Sequence, residues 1–480
     1  MNEWLDAPLV DAARAIAGKQ ISSRELTLAG LARAEKLNPG LNAFISLDPE
    51  GALAQADAAD NALAQGKGKG KGKGKGPGLL HGVPLAHKDM FYRVGKVSTC
   101  GSKILKDFVP DITSTALSRL EDAGALHLGG LSMAEFAFSG TGHNHHYGAV
   151  RNAWNPAHIS GGSSSGSGAS TGARIVFGAL GSDTGGSIRL PAAANGVYGI
   201  KPTQTRVSRY GAMGLSFSLD TVGPLARTAR DCARLLGVIA GHDPSDGTSS
   251  RHPVADYEAA CVNPDIKGMR IGVPTNYYYD GADPEVRDRM HDSLKVLADL
   301  GAHIIDVEVP LHDCLSDLAN VVMASEAATL HGAWLRERPD DYGPQVKARI
   351  ENGFAFTATQ YLSALQRRPQ ITAEFIDQVF SRCDVLHTPT LNVVLPTIAE
   401  TDVGAAPGFA SVLGRVTHCS RPVNYLGLPS LAVPAGFTIG QLPASFQLIG
   451  RPFDEASLFR VGAAYEAATT WTTLMPSLIA

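Results

Sequence analysis

The stretch Gly161–Arg189, GGSSSGSGASTGARIVFGALGSDTGGSIR, decides the reading of this chain. Two glycine- and serine-rich loops bracket a short apolar run, Ile175 to Leu180. Such loops are ordinarily flexible linkers. Here, however, the second loop follows a strand-like run and precedes Ile188-Arg-Leu-Pro-Ala-Ala-Ala, a helix start. A strand, a tight glycine turn and a helix expose a side chain above a sheet. The amides of Thr184, Gly185, Gly186 and Ser187 are expected to converge there as an oxyanion hole, in which one donor is worth about 3 kcal/mol of transition-state stabilisation. Glycine lets the chain bend sharply without side chains blocking a substrate. Phosphate binding by the same amides is the competing reading. The phosphate-loop pattern ends in Gly-Lys-Ser/Thr, and neither loop has that lysine.

A serine nucleophile needs a base. Ser165-Gly166-Ser167-Gly168 matches the G-x-S-x-G elbow only loosely, and no Ser–His–Asp set stands out. Lysine is the other solution, provided that it is neutral. The stretch Leu79–Lys88, LLHGVPLAHK, ends on a lysine in the company of Val83, Leu85 and Met90. Burial disfavours the charged amine and lowers its pKa. Lys88 is therefore a better base candidate than the lysines at 67 to 75.

These segments closely resemble the amidase signature family. HGVPLAHKDM resembles its G-I/V-P-x-x-x-K-D block, GGSSSGSGA its GGSSGGS loop, and LGSDTGGSIRLPAAANGVYGIKPT its nucleophile block almost letter for letter. The likeness runs from about Ser22 to Ala467. It implies Ser187 as the acylated nucleophile, Ser163 as a bridging serine on a cis peptide bond, and Lys88 as the general base. Asp183, Arg189 and Ser164 are expected to support the loop, with Ser182 a hydroxyl bonded to backbone. The implied fold is α/β: one large α/β/α domain, its central mixed, largely parallel twisted sheet covered by helices. The implied activity is cleavage of a carbon–nitrogen bond in a neutral amide, anilide or carbamate. A urethanase-type carbamate hydrolase and a glutamine amidotransferase subunit of a tRNA transamidation complex are the alternatives. Two departures stand out. Ser165 takes the place of the first glycine after the serine pair. Thr417 falls near the place where glutamine-specific members carry an aspartate upstream of the segment Asn424–Pro429, which counts against the tRNA-linked reading.

The remainder bounds the answer. With 480 residues, 44% apolar and 18% charged, the chain can bury a large core and is not disordered. A net charge of −4 supplies no global basic field, so the expected partner is a small-molecule amide or carbamate, with no nucleic acid and no membrane, and the expected state is a monomer or homodimer. No apolar run approaches the ~18 residues of a membrane helix. MNEWLDAPLV lacks the form of a signal peptide, and six scattered cysteines read as reduced thiols, so the cytoplasm is expected. Residues 1–65 read as a helical segment packed on the main domain, with Ser22-x-x-Glu25 a capping-box candidate. A flexible Gly/Lys loop with five lysines follows over 66–78, then the catalytic domain over 79–480.

Met269–Pro274, Asp283–Leu300 and His303–Val309 read as strand, helix and strand, a βαβ unit that makes part of the sheet parallel. Helices are expected around 318–336, 357–367 and 371–381, and short strands at Val385–Pro389, Ser430–Pro434 and Ser445–Ile449. His143, His145 and His146 invite a metal, but their spacing suits loop or pocket-wall histidines better. No metal or organic cofactor is expected. Phe136, Phe138, Tyr147 and the residues after Tyr210 are expected to form an apolar, aromatic pocket wall.

Overall fold

The computed structural model describes residues 2–66, 78–404, 406 and 408–479. The Gly/Lys tract, apart from Gly66 and Gly78, lies outside the described residues. Among the described residues eleven strands form one sheet: β1 (Phe44–Leu47), β2 (Pro84–Lys88), β3 (Leu126–Leu131), β4 (Gly178–Asp183), β5 (Tyr198–Lys201), β6 (Thr221–Ala226), β7 (Arg270–Pro274), β8 (His303–Val307), β9 (Val385–Pro389), β10 (Ser430–Phe437) and β11 (Pro443–Ile449). Their order is β1-β3-β2-β4-β6-β5-β10-β11-β9-β7-β8.

The sheet is mixed and clothed by helices, the expected α/β class. Its parallel pairs sit in two blocks, β3-β2-β4 and β8-β7-β9. Between them the pairs β4-β6, β6-β5, β5-β10, β10-β11 and β11-β9 are antiparallel, as is β1-β3, so the sheet is mixed as expected but not largely parallel. Parallel character is therefore strongest on the flanks. Every residue of β2 and β4 is buried, because helices cover both faces of the sheet. No helix among the described residues is long and apolar enough to cross a membrane.

The N-terminal segment is more than helical. Its helix Ser23–Leu41 starts at Ser22 with a full capping box: Ser22 accepts from the Glu25 amide and Glu25 accepts from the Ser22 amide. Asn42, in the left-handed region at φ 55°, ends that helix and turns the chain into β1. β1 then pairs antiparallel with β3, so residues 44–47 are part of the main sheet. The helices expected at 357–367 and 371–381 form one, Ala358–Phe380. Its Thr357–Gln360 capping box is intact and it carries Pro369 inside.

Two features of the topology position the site. β2 and β4 are parallel neighbours with His87 opposite Leu180, so Lys88 and Ser182–Asp183 emerge at the same edge. The helix Ser165–Gly172 lies against this pair, with all eight residues buried. Its glycines are dictated by close approach. A Cβ at Gly166 would lie 2.2 Å from the Ala43 carbonyl oxygen, and one at Gly168 2.6 Å from the Pro191 carbonyl oxygen.

Candidate active site

Lys88 ends β2 with no solvent exposure. Its Nζ lies 2.7 Å from Ser163 Oγ and 2.8 Å from Ser182 Oγ. Burial pushes the amine down to about 7, against the opposing pull of Asp220 and Asp183. Burial thus favours the neutral amine, whose lone pair can take a hydroxyl proton. Ser182 was expected to bond backbone only. It is a second partner of Lys88, and its own hydroxyl donates to Met90 Sδ at 3.1 Å. The signal was the alternation of β4: successive side chains point to opposite faces of the sheet, and Ser182 takes the one that Lys88 reaches.

Ser163 follows a cis Gly162–Ser163 peptide. Ser164 links the two loops: its amide donates to the Ser187 carbonyl at 3.2 Å, and its hydroxyl donates to the Ser182 carbonyl at 3.2 Å. Ser187 is 7% exposed, at the base of a small pocket that Thr184 and Gly185 also line.

Asp183 and Arg189 hold the turn between them. Asp183 accepts from the amides of Gly186 (2.8 Å) and Ile188 (3.1 Å), from Arg189 Nε (3.0 Å) and Nη2 (3.1 Å), and from Asn424 Nδ2 (2.8 Å). Burial opposes the charge on Asp183, but the Arg189 guanidinium and these donors hold its carboxyl well below the usual carboxylate range. The Gly186 amide is thereby committed to Asp183, which corrects its place in the expected oxyanion hole. The Thr184, Gly185 and Ser187 amides donate to no protein group among the described residues, and Ser420 Oγ fixes the turn by donating to the Gly185 carbonyl at 2.7 Å. Gly186 sits at φ 124°, where a Cβ would meet Ser420 Oγ at 2.3 Å.

The Asp183–Arg189 pair has no solvent exposure on either side chain. Arg189→Met should therefore strand a buried carboxylate and cost about 3–5 kcal/mol. Denaturant unfolding should show this as a lower midpoint with an unchanged slope. An unmoved midpoint would show that the pair does not hold the turn.

The pocket wall differs from the expectation. Phe138 lines the pocket above Ser187. Phe136 is core, packed on His331 at 4.4 Å and Trp334 at 5.7 Å between ring centroids. Tyr147 donates to the Ser102 carbonyl at 3.4 Å and does not line this pocket. Leu215, after Tyr210, does line it. The wall was expected to be apolar, yet it carries Arg349 and Arg421 beside Thr417. Both arginines arrive from helices remote in sequence, so no local pattern announces them.

The histidines are scattered in role. His143 Nε2 meets Thr401 Oγ1 at 2.6 Å, and His146 Nε2 meets Glu135 Oε1 at 3.1 Å. No group of three or more His, Cys, Asp or Glu among the described residues is arranged to hold a metal ion.

The Amidase family profile matches residues 25–459. The A subunit of glutamyl-tRNA(Gln) amidotransferase from Roseiflexus sp. (strain RS-1) is 40% identical over 98% of this chain and 98% of its own length. The crystal structure of the corresponding A subunit from Thermotoga maritima superposes with a TM-score of 0.80 at 29% identity, over 98% of this chain and 97% of the other. A structure described as a vestigial protein complex that reveals the evolutionary origins of an s-triazine catabolic enzyme gives 0.88 at 32% identity, over 96% and 98%.

These relatives overturn one expectation. The reading of a small-molecule partner alone, with no nucleic acid and at most a homodimer, is withdrawn, because proteins this similar are named as subunits of an enzyme of tRNA. Net charge averages over a whole chain, and it reports neither a local contact nor a partner subunit that carries the RNA. The expected family holds across nearly the whole length, with the three motif blocks gathered at one sheet edge: the chain belongs to the amidase signature family.

Proposed function

We propose that the chain cleaves the carbon–nitrogen bond of a primary amide through an ester on Ser187, as the amide-hydrolysing subunit of an amidotransferase-type assembly. The observation that carries the chemistry is the buried Lys88 amine, 2.7 Å from Ser163 Oγ, on the loop that adjoins Ser187. Neutral Lys88 takes the Ser163 proton as Ser163 takes that of Ser187, and Ser187 Oγ attacks the amide carbon. The Gly185 and Ser187 amides hold the resulting oxyanion. The proton on Lys88 returns through Ser163 to the leaving nitrogen, and ammonia departs. Water then attacks the ester with the same relay as base, releasing the acid and restoring Ser187.

The assembly role is supported by relatives 38–40% identical over nearly their full length and named as the A subunits of such an amidotransferase. Six free cysteines, five of them buried, suit a reducing compartment such as the cytoplasm.

The test is to purify the chain from its native cells under mild conditions and follow ammonia release with and without tRNA. A hetero-oligomer whose ammonia release responds to tRNA is the expected result. A lone chain with full amide turnover, indifferent to tRNA, would remove the assembly while leaving the Ser187 chemistry in place.

A further inference from the structure

The small pocket over Ser187 is lined by two guanidinium groups and by no carboxylate among the described residues. Its polar wall is made by Ser139, Thr184, Ser187, Arg349, Thr417 and Arg421, and Phe138 also lines it. Arg421 lies beside the turn: a Cβ on Gly185 would be in ordinary van der Waals range of Arg421 Cγ, at 4.0 Å. Arg421 Nη2 donates to Thr417 Oγ1 at 2.7 Å, and Thr417 Oγ1 in turn donates to the Leu413 carbonyl at 2.8 Å. The Thr417 hydroxyl is thus used up on the helix and on Arg421. Arg421 Nε is shielded from solvent and has no hydrogen-bond partner among the described residues.

Arg349 lies across the Phe138 ring, 3.8 Å from its centroid, and donates to the Phe138 carbonyl. Neither guanidinium forms an ion pair among the described residues. Burial disfavours the charge on Arg349, and the charge of Arg421 adds to the effect. Burial also lowers Arg421, against the opposing influence of Tyr277 and then Asp317.

Two like charges gathered in one half-buried pocket are costly unless something supplies the opposite charge. Arginine holds a carboxylate with two parallel hydrogen bonds. An ammonium group here would face two cations and no anion.

We infer that Arg349 and Arg421 form a carboxylate clamp, and that the acyl half of the substrate is a short chain ending in a carboxylate and bearing no ammonium group. The substrate class is then the monoamide of a dicarboxylic acid. Thr417 stands at the clamp as the anchor of Arg421, where an aspartate would instead neutralise it. This inference rests on Ser187 being the acylated residue and does not depend on the assembly.

The test uses three amides of one length: glutarate monoamide, pentanamide, which replaces the carboxylate by methyl, and glutamine, which adds an α-ammonium. For the intact protein, kcat/KM should be highest for glutarate monoamide, by about 30-fold or more over pentanamide, the scale for losing one side of a charged hydrogen-bonded pair. Arg421→Met and Arg349→Met should each collapse that ratio, mainly through KM, and Arg421→Lys should restore part of it.

A readout without turnover comes from Ser187 labelling by a fluorophosphonate. Glutarate should slow labelling of the unaltered protein more than the neutral alcohol 1-pentanol does. Pentanamide or glutamine matching glutarate monoamide, or labelling that glutarate slows no more than 1-pentanol, would overturn the clamp. Absence of any labelling at Ser187 would instead overturn the reading on which the clamp rests.

Discussion

Ser187→Ala should lower kcat for amide hydrolysis by about 10⁴-fold or more, because removing a serine nucleophile abolishes the covalent route and leaves only what binding and backbone donors contribute. The fold should be unaffected. Ser187 Oγ makes no hydrogen bond among the described residues, and the turn is held by Asp183, Arg189 and Ser420. A melting temperature close to that of the unaltered protein, with activity gone, separates lost chemistry from lost structure. Retained turnover in a correctly folded variant would move the nucleophile elsewhere in the two serine loops. Ser163→Ala should also be severe but less complete, since it breaks the proton path and leaves the attacking oxygen in place.

Lys88→Met should cost about 10²–10⁴-fold, the range for a positioned general base. The same residue sets a pH dependence whose sign is fixed. Only the neutral amine can accept a proton, and burial brings Lys88 from the ordinary lysine value to about 7. The value of kcat/KM should therefore rise as pH increases through about 7 and level off above it. Lys88→Arg should be inactive across that range, because a guanidinium does not deprotonate in proteins. A flat profile from about pH 6 to 9, or activity in the arginine variant, would take the base role from Lys88. Burial alone does not single this lysine out. Lys201 is just as buried and is also pushed down to about 7, but among the described residues its amine donates only to the Pro202 carbonyl, at 3.0 Å. What sets Lys88 apart is the parallel pairing of β2 with β4, which places its amine among serine hydroxyls.

Much of the site was legible because it is local. The turn from β4 into the helix Arg189–Asn195 is contiguous in sequence, and its glycines report tight backbone turns. The βαβ unit from β7 to β8 was legible for the same reason: its helix, Pro284–Asp299, shows an apolar face at helical spacing. What escaped depends on distant segments meeting. Arg349 and Arg421 are far from Ser187 in sequence, and each looks locally like a surface charge on a helix. Phe136 and Tyr147 looked like pocket aromatics only because they lie between the motif blocks, and the packing around His331 and Ser102 claims them instead. The Gly186 amide was assigned to the substrate because sequence cannot show that the Asp183 carboxylate folds back onto it. The helices expected at 357–367 and 371–381 are one, because the helix runs through Pro369 where a proline ordinarily interrupts it. The fold class and the serine–lysine set came from motif and period; the charge of the pocket required the three-dimensional structure.

The central claim is that Ser187 is acylated with Lys88 as its base. It is tested most directly by exposing the protein to an activated fluorophosphonate, measuring intact mass, and mapping the modified peptide. The account predicts one adduct per chain, on Ser187, absent from Ser187→Ala and formed much more slowly in Lys88→Met. An adduct on another serine, or equal labelling of the unaltered protein and Ser187→Ala, would contradict it.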